Sequence, residues 1–283
     1  MTALVLQTDR VRLEILPELG GSIGRLTWDG RDLTRPAPER ATDVLDTGSF
    51  PLIPFCNRIR DGRFTFGGHE VALAPNLGDH PHALHGQGWR ATWTVVSAEA
   101  AEALLAFDHA PGEWPWAYRA QQRFVLDEQG VRVELSVTNT GAEPMPAGLG
   151  FHPYFPAGPG ARLQAGVTGV WMIDADVLPT AHVEGVWGPD WAAGAPTAVT
   201  ELVDNCYTGW NGQAVFTAAD GARTVLRASP ECRWLHVYSP PGADFACAEP
   251  VANRPDPFNG EDSGMLTLAP GEAASVWMTI SAG

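Results

Sequence analysis

Four short segments carry side chains suited to moving protons. Phe151-His152-Pro153-Tyr154-Phe155 holds an imidazole between aromatic and proline residues, which fixes its direction and keeps its surroundings partly dry. His82-Ala83-Leu84-His85-Gly86 supplies a second imidazole beside a glycine, Asn57-Arg58-Ile59 a guanidinium, and Ala248-Glu249-Pro250 a carboxylate. An imidazole titrating near ~6.5 and a carboxylate near ~4.3 can act as a general acid and a general base toward one bound molecule. The four segments are far apart in the chain, so this chemistry requires a fold that brings them together.

Each of these residues also has a purely structural reading. His152 follows Gly148 and Gly150 and precedes Pro153, an irregular backbone that presents the ring to a cleft; otherwise it is a core histidine with both nitrogens satisfied. A nearby carboxylate is expected to keep it protonated at neutral pH and able to act as an acid. Glu249 ends the apolar run Phe245-Ala246-Cys247-Ala248, where partial desolvation raises a carboxyl pKa and makes it a better base; alternatively, backbone donors satisfy it at a strand end. Arg58 emerges from an almost wholly apolar stretch, so its five donors serve either a buried ion pair or a fork on substrate hydroxyls. Asp204, in Leu202-Val203-Asp204-Asn205-Cys206-Tyr207, gives a weaker version of the same signal, with an Asx-turn as its alternative.

His80, His82 and His85, with Asp79 nearby, have a spacing that invites a metal. An extended backbone would put His80 and His82 on one side and His85 on the other, and no H-E-x-x-H or Cys/His pattern supports zinc. We therefore read His85, at the Gly86 turn, as a ligand-binding residue, with His80 and His82 as secondary candidates, and expect no metal. The chain has no G-x-S-x-G, no Walker loop and no strand–GxGxxG–helix context. Eleven tryptophans are more than the chain needs; Trp89, Trp114, Trp116 and Trp210 flank candidate loops, where flat rings could stack on a ligand, although packing is the commoner use.

The chain of 283 residues is 45 % apolar and 18 % charged, a composition that supports a sizeable core. Its formal charge of −15, from 33 acidic and 18 basic residues, argues against nucleic acid or an anionic membrane as partner, since both require clustered Lys and Arg. Residues 1–16 lack a basic segment followed by an apolar run, and no stretch is apolar enough to span a bilayer. Four scattered cysteines without a C-x-x-C pair predict neither a disulfide framework nor structural zinc, which makes the cytoplasm the expected compartment.

The elements that must position these groups are strands. Over residues 118–138, Phe124 and Leu126 precede Asp127-Glu128-Gln129-Gly130, then Val131, Val133, Leu135 and Val137 alternate with Arg132, Glu134 and Ser136: an antiparallel hairpin with one wet face. Similar short strands are predicted at 11–15, 23–28, 91–96, 214–217, 224–228, 234–238 and 275–280. Residues 97–107 have helical propensity, but their place between strand signals predicts strand and turn. Gly20-Gly21-Ser22-Ile23-Gly24 reads as a bend between strands. With 31 glycines and 24 prolines spread throughout, no linker and no repeat, the chain is expected to form one large antiparallel β-sandwich domain over residues 1–283.

Five segments in order, Asn57-Arg58-Ile59, Leu84-His85-Gly86, Phe151-His152-Pro153-Tyr154-Phe155, Asp204-Asn205-Cys206-Tyr207-Thr208-Gly209-Trp210 and Glu249-Pro250-Val251-Ala252-Asn253, resemble the aldose 1-epimerase (galactose mutarotase-like) family over nearly the whole chain. The resemblance implies a β-supersandwich and cofactor-free interconversion of the α and β anomers of an aldose. It also implies Glu249 as general base, His152 as general acid, and Arg58, His85 and Asp204 as sugar-binding residues. The partner it implies is a monosaccharide, bound by a monomer or homodimer. The Phe-His-Pro-Tyr-Phe frame and the Asp204 segment depart from the best-known galactose mutarotases, which leaves the sugar open between hexose, pentose and sugar phosphate; Arg58, Arg60 and Arg63 keep a phosphate in view. Two other readings stand beside it: a glycoside hydrolase with Asp204 and Glu249 as paired carboxylates, and a non-catalytic sugar-binding protein.

Overall fold

The computed structural model describes residues 2–283; Met1, which opens the stretch read for a leader and the expected domain range, lies outside them. Among the described residues, two large antiparallel sheets, one of eleven strands and one of nine, dominate the architecture. The predicted hairpin is the strongest pairing in the smaller sheet: Tyr118–Leu126 pairs with Gly130–Asn139, with Ala120 opposite Val137 and Phe124 opposite Val133. Residues 97–107 do not form a helix. Thr94–Ala98 and Glu102–His109 are adjacent strands with a register shift between Val95 and Ser97. The strand predicted at 91–96 starts later, because Gly88–Arg90 makes a short 3-10 turn that buries Trp89. The remaining predicted strands stand within a few residues of their expected bounds.

Five adjacent strands of the eleven-stranded sheet matter for the site: β1 (Ser49–Leu52), β2 (Gly150–Pro156), β3 (Val203–Thr208), β4 (Trp234–Ser239) and β5 (Phe245–Val251), in spatial order β1-β2-β5-β4-β3. A strand sends alternate side chains to opposite faces. On one face Phe151 and Phe155 of β2, Ala246 and Ala248 of β5, Leu235 and Val237 of β4 and Val203 and Tyr207 of β3 enter an apolar cluster. Val133, Leu135 and Met278 of the nine-stranded sheet share that cluster. The core therefore lies between the two sheets.

The other face carries the polar residues. His152 stands opposite Phe50 of β1. Glu249 stands opposite His236 of β4, and His236 opposite Cys206 of β3. Between the registered pairs Gly150–Val251 and Tyr154–Cys247, His152 and Glu249 are abreast. One row across five strands thus reads Phe50, His152, Glu249, His236, Cys206. It is embedded in a second, smaller cluster of Val44, Phe50, Leu52, Cys56, Trp89, Tyr154, Cys206, Trp234, Cys247 and Val251.

Asn253 ties the segment before Arg58 to the end of β5. It is fully buried; its Oδ1 accepts from Cys56 N at 3.0 Å, and its Nδ2 donates to Cys56 O at 3.1 Å and Arg254 O at 3.0 Å. Gly148 packs against this amide so closely that a Cβ there would lie 2.0 Å from Asn253 Oδ1. Replacing Asn253 by Ala leaves buried backbone groups of Cys56 without partners, at a cost of about 1–3 kcal/mol for each such group. We expect Asn253→Ala to lower the thermal unfolding midpoint clearly and Asn253→Asp, which keeps the size but sets a buried carboxyl against the carbonyls of Cys56 and Arg254, to lower it at least as much; equal midpoints for all three proteins would show that this clamp is not structural.

Candidate active site

Glu249 and His152 occupy the centre of the row. Glu249 is 1 % exposed and His152 7 % exposed, and His152 Nε2 lies 3.3 Å from Glu249 Oε1. Both residues precede a proline, Pro153 and Pro250, which brings no N–H to the ladder. The imidazole stacks on Phe50 at 4.5 Å between ring centroids and on Tyr154 at 4.8 Å. Arg35 continues the column, its guanidinium 3.9 Å from the Tyr154 ring centroid and 4.6 Å from that of Phe245.

The electrostatics reverse one expectation. Burial, reinforced by the neighbouring His236, pushes the His152 imidazole down to about 3, and the nearby Asp204 charge does not restore it. Burial, together with Asp204, holds the Glu249 carboxyl well above its ordinary value, against the opposing pull of Arg58. The carboxylate therefore does not keep His152 protonated: burial moves the two groups in opposite directions, the imidazole downward and the carboxyl upward, each toward its neutral form. The direction expected for Glu249 is the one found, and its cause is the desolvation expected, complete here rather than partial. Glu249 Oε2 and His152 Nδ1 are buried with no partner in the protein.

Arg58 resolves toward the ion pair. Its Nη2 donates to Asp204 Oδ2 at 3.0 Å, its Nη1 to Asn57 Oδ1 at 3.1 Å and its Nε to His80 Nε2 at 3.2 Å. Asp204 lies within β3 rather than in an Asx-turn, and its Oδ1 accepts from His236 Nε2 at 2.6 Å. Burial alone would raise the Asp204 carboxyl, but the Arg58 charge and the His236 contact outweigh it and hold the carboxyl well below the usual range.

His85 is oriented by its backbone. Asn57 N donates to His85 Nδ1 at 3.1 Å while His85 N donates to Asn57 O at 2.9 Å. With Nδ1 accepting, the neutral ring carries its proton on Nε2 and is a donor. Burial holds its pKa well below the ordinary value, so it stays neutral. Asn57 and His85 both have positive φ, 59° and 61°, and Gly86 follows at 72°. A Cβ on Gly86 would lie 2.1 Å from Ile53 O, so this turn requires glycine.

These groups line one cavity of about 480 Å³. Asn57, Arg58, His80, His85, His152, Asp204, His236 and Glu249 contribute its polar lining; Tyr154, Tyr238 and Phe245 its aromatic side; Leu45, Leu77, Leu84, Val177 and Leu202 its apolar lining; and Arg35 a second guanidinium. All five residues singled out from sequence, Glu249, His152, Arg58, His85 and Asp204, are thus brought together.

Other expectations fare differently. His80 and His85 share the cavity while His82 turns away to accept from Asp61 N at 3.0 Å, because the loop is not extended. Among the described residues the only His/Cys/Asp/Glu group close enough for a metal is His152, Cys247 and Glu249, not the histidine loop. Trp114 and Trp116 pack against Phe64, and Trp89 against His85 and Phe50. Trp210 lines a different surface cavity, so no tryptophan lines this one. Arg60 pairs with Asp256, and only Arg58 of the Arg58–Arg60–Arg63 series reaches the cavity. Sequence reasoning missed Arg35, Tyr238, Phe245 and His236. The last was detectable on the ground already applied to Glu249, a polar residue inside the apolar strand Trp234-Leu235-His236-Val237-Tyr238.

The fold and the chain compare closely with known proteins. The family model described as aldose 1-epimerase matches residues 3–281. The chain is 34 % identical over 290 residues to "Uncharacterized protein YphB" of Escherichia coli (strain K12), covering 99 % of this chain and 98 % of that one. A crystal structure of a protein from Escherichia coli K12 superimposes with a TM-score of 0.92 at 32 % identity, over 100 % of this chain and 99 % of the other. A galactose mutarotase-like protein from Clostridium acetobutylicum shares the fold, with a TM-score of 0.87 at 22 % identity over 99 % and 95 % of the two chains. On the family match and these full-length likenesses, the chain belongs to the aldose 1-epimerase family.

Proposed function

We propose that this protein interconverts the α and β anomers of a free aldose by general acid–base ring opening and reclosure. The observation that carries the proposal is the Glu249–His152 pair, 3.3 Å apart and buried, within a cavity that also carries Arg58, His85, Asp204 and His236. Anomer exchange requires one proton to leave the anomeric hydroxyl and one to reach the ring oxygen, and a pair that shares one proton supplies both. Glu249 neutral with His152 neutral has the same proton count as Glu249 ionised with His152 protonated. Transfer across the 3.3 Å contact, as sugar hydroxyls enter, generates the second form. Glu249 then takes the anomeric proton while His152 gives one to the ring oxygen. The ring opens to the aldehyde, C1–C2 rotation exposes its other face, and closure reverses both transfers. The Nε2–H of His85 and the donors of Arg58 orient the sugar.

Asp204 has both carboxylate oxygens engaged by Arg58 and His236, which leaves the hydrolase reading without a free second carboxylate. A phosphate finds little support at the cavity: the Nη2 of Arg35 is occupied by the carbonyls of Leu45 and Thr47, and Arg58 by Asp204. A neutral hexose or pentose suits the site best.

Polarimetry or NMR starting from pure α-glucose, α-galactose and α-xylose tests this. Wild type should accelerate anomer exchange of at least one sugar above the spontaneous rate. Glu249→Gln, and His152→Phe chosen to retain the stacked column, should each cut kcat by ~10²–10⁴-fold. Full activity in both variants would rule out the mechanism; no acceleration of any sugar by wild type would rule out the activity.

The pH profile follows from the same pair. Because kcat/KM reports the free enzyme, its acid limb marks the second proton reaching the pair. With His152 lowered from 6.5 to about 3, that limb should lie below about pH 5 instead of near 6.5. The alkaline limb, where Glu249 loses the shared proton, should lie well above 4.5. A kcat/KM that halves near pH 6.5 on the acid side would show that His152 titrates as an ordinary histidine.

A further inference from the structure

His236 has no place in the mechanism just given, yet its surroundings are those of a working histidine. It is 2 % exposed, lines the cavity, and stands directly across from Glu249 in the sheet register. Its Nε2 lies 2.6 Å from Asp204 Oδ1. An ionised carboxylate only accepts, so Nε2 carries a proton and donates it. In the ring's neutral form Nδ1 is then a bare acceptor, and Nδ1 is buried with no partner in the protein. A buried polar atom without a partner is costly unless something outside the protein completes it. Across the strand, Glu249 Oε2 has the same deficit. Side chains facing each other on adjacent antiparallel strands have Cβ atoms about 4.5–5.5 Å apart, so neighbouring hydroxyls of one sugar can serve the two.

We propose that His236 binds the sugar directly, its Nδ1 accepting a hydroxyl hydrogen bond beside Glu249, and that Asp204 acts through His236 as a positioning residue by fixing the Nε2–H tautomer. This deepens the mutarotase reading and rests on it. It also changes what Asp204 does: the carboxylate assigned to the sugar from sequence orients the imidazole that meets the sugar. His236 is thus a specificity-determining residue, reading a hydroxyl that points toward β4, and a sugar lacking a donor at that place binds less well.

Two variants separate the roles. In His236→Gln the amide nitrogen can still donate to Asp204, but no acceptor replaces Nδ1. In His236→Asn the amide oxygen can stand where Nδ1 was, but the donor to Asp204 is lost. We expect His236→Gln to raise KM by about 3–10-fold, the value of one neutral hydrogen bond, with kcat changed less and the unfolding midpoint unchanged. His236→Asn should recover part of the KM. Nitrogen-15 NMR of the histidine rings gives a readout a structural role would not move. The free protein should show His236 protonated on Nε2 with a bare Nδ1, and adding the sugar that wild type turns over fastest should shift that Nδ1 resonance. A KM for His236→Gln equal to that of wild type, or an Nδ1-protonated ring, overturns the proposal while leaving the mutarotase reading intact. A wild type that accelerates no sugar, and whose His236 resonances no added glucose, galactose or xylose moves, overturns both.

Discussion

Glu249 and His152 lie 3.3 Å apart in a place where neither charged form is well solvated. A carboxylate and an imidazolium each lose hydration on burial, a loss of several kcal/mol per ion that only close pairing offsets. Burial drives both toward their neutral forms, the imidazole downward and the carboxyl upward. Near these two groups one buried pair of charges is matched directly, Arg58 and Asp204 in contact at 3.0 Å, both partners more than nine-tenths buried. That pair holds its own charges in place and gives Glu249 two opposing influences, Asp204 favouring the acid form and Arg58 the anion. Charge can then appear on Glu249 and His152 when a substrate asks for it, against dipoles that are already oriented.

Orientation of this kind requires backbone that side chains do not choose by themselves. Asn57 and His85 are non-glycine residues in the left-handed region, and each stabilises the other through a reciprocal pair of contacts, Asn57 N to His85 Nδ1 and His85 N to Asn57 O. Backbone of this kind costs about 1–3 kcal/mol per residue and persists where the surroundings overdetermine it. Here the surroundings are the Asn253 amide on Cys56, the short pairing of Arg58 with Leu84 and the glycine at 86. The cost yields two fixed donors facing one cavity, Arg58 and the Nε2–H of His85.

The strands and the central residues were legible in the sequence because their signals are local. Alternation around Asp127-Glu128-Gln129-Gly130 demands a hairpin, and a carboxylate after Phe245-Ala246-Cys247-Ala248 demands an explanation wherever the strand goes. The site's electrostatics were not legible in the same way. Whether the carboxylate beside His152 keeps it charged depends on how much water remains, and that depends on Phe50 and Tyr154 packing against the ring. His80 and His82, expected on one side, part company, and His80 joins His85, because the loop bends, which the extended-chain argument could not include. The role of Asp204 depended on His236, thirty-two residues away and adjacent only through the β3–β4 pairing.

The division between floor and rim completes the physical picture. His152, Glu249, His236 and Asp204 lie on adjacent strands of one sheet, where hydrogen-bonded ladders hold positions more firmly than loops can. The apolar residues Leu45, Leu77, Val177 and Leu202 come from segments outside the strands, and Val177 is itself at a φ of 61°. On the proposed reading the anomeric carbon must reach the floor, because the shared proton is there, so the far side of the sugar meets the loop residues. The same catalytic row can then serve different aldoses as the loops change, and the apolar character of the loops here favours a sugar whose outer end carries no charge.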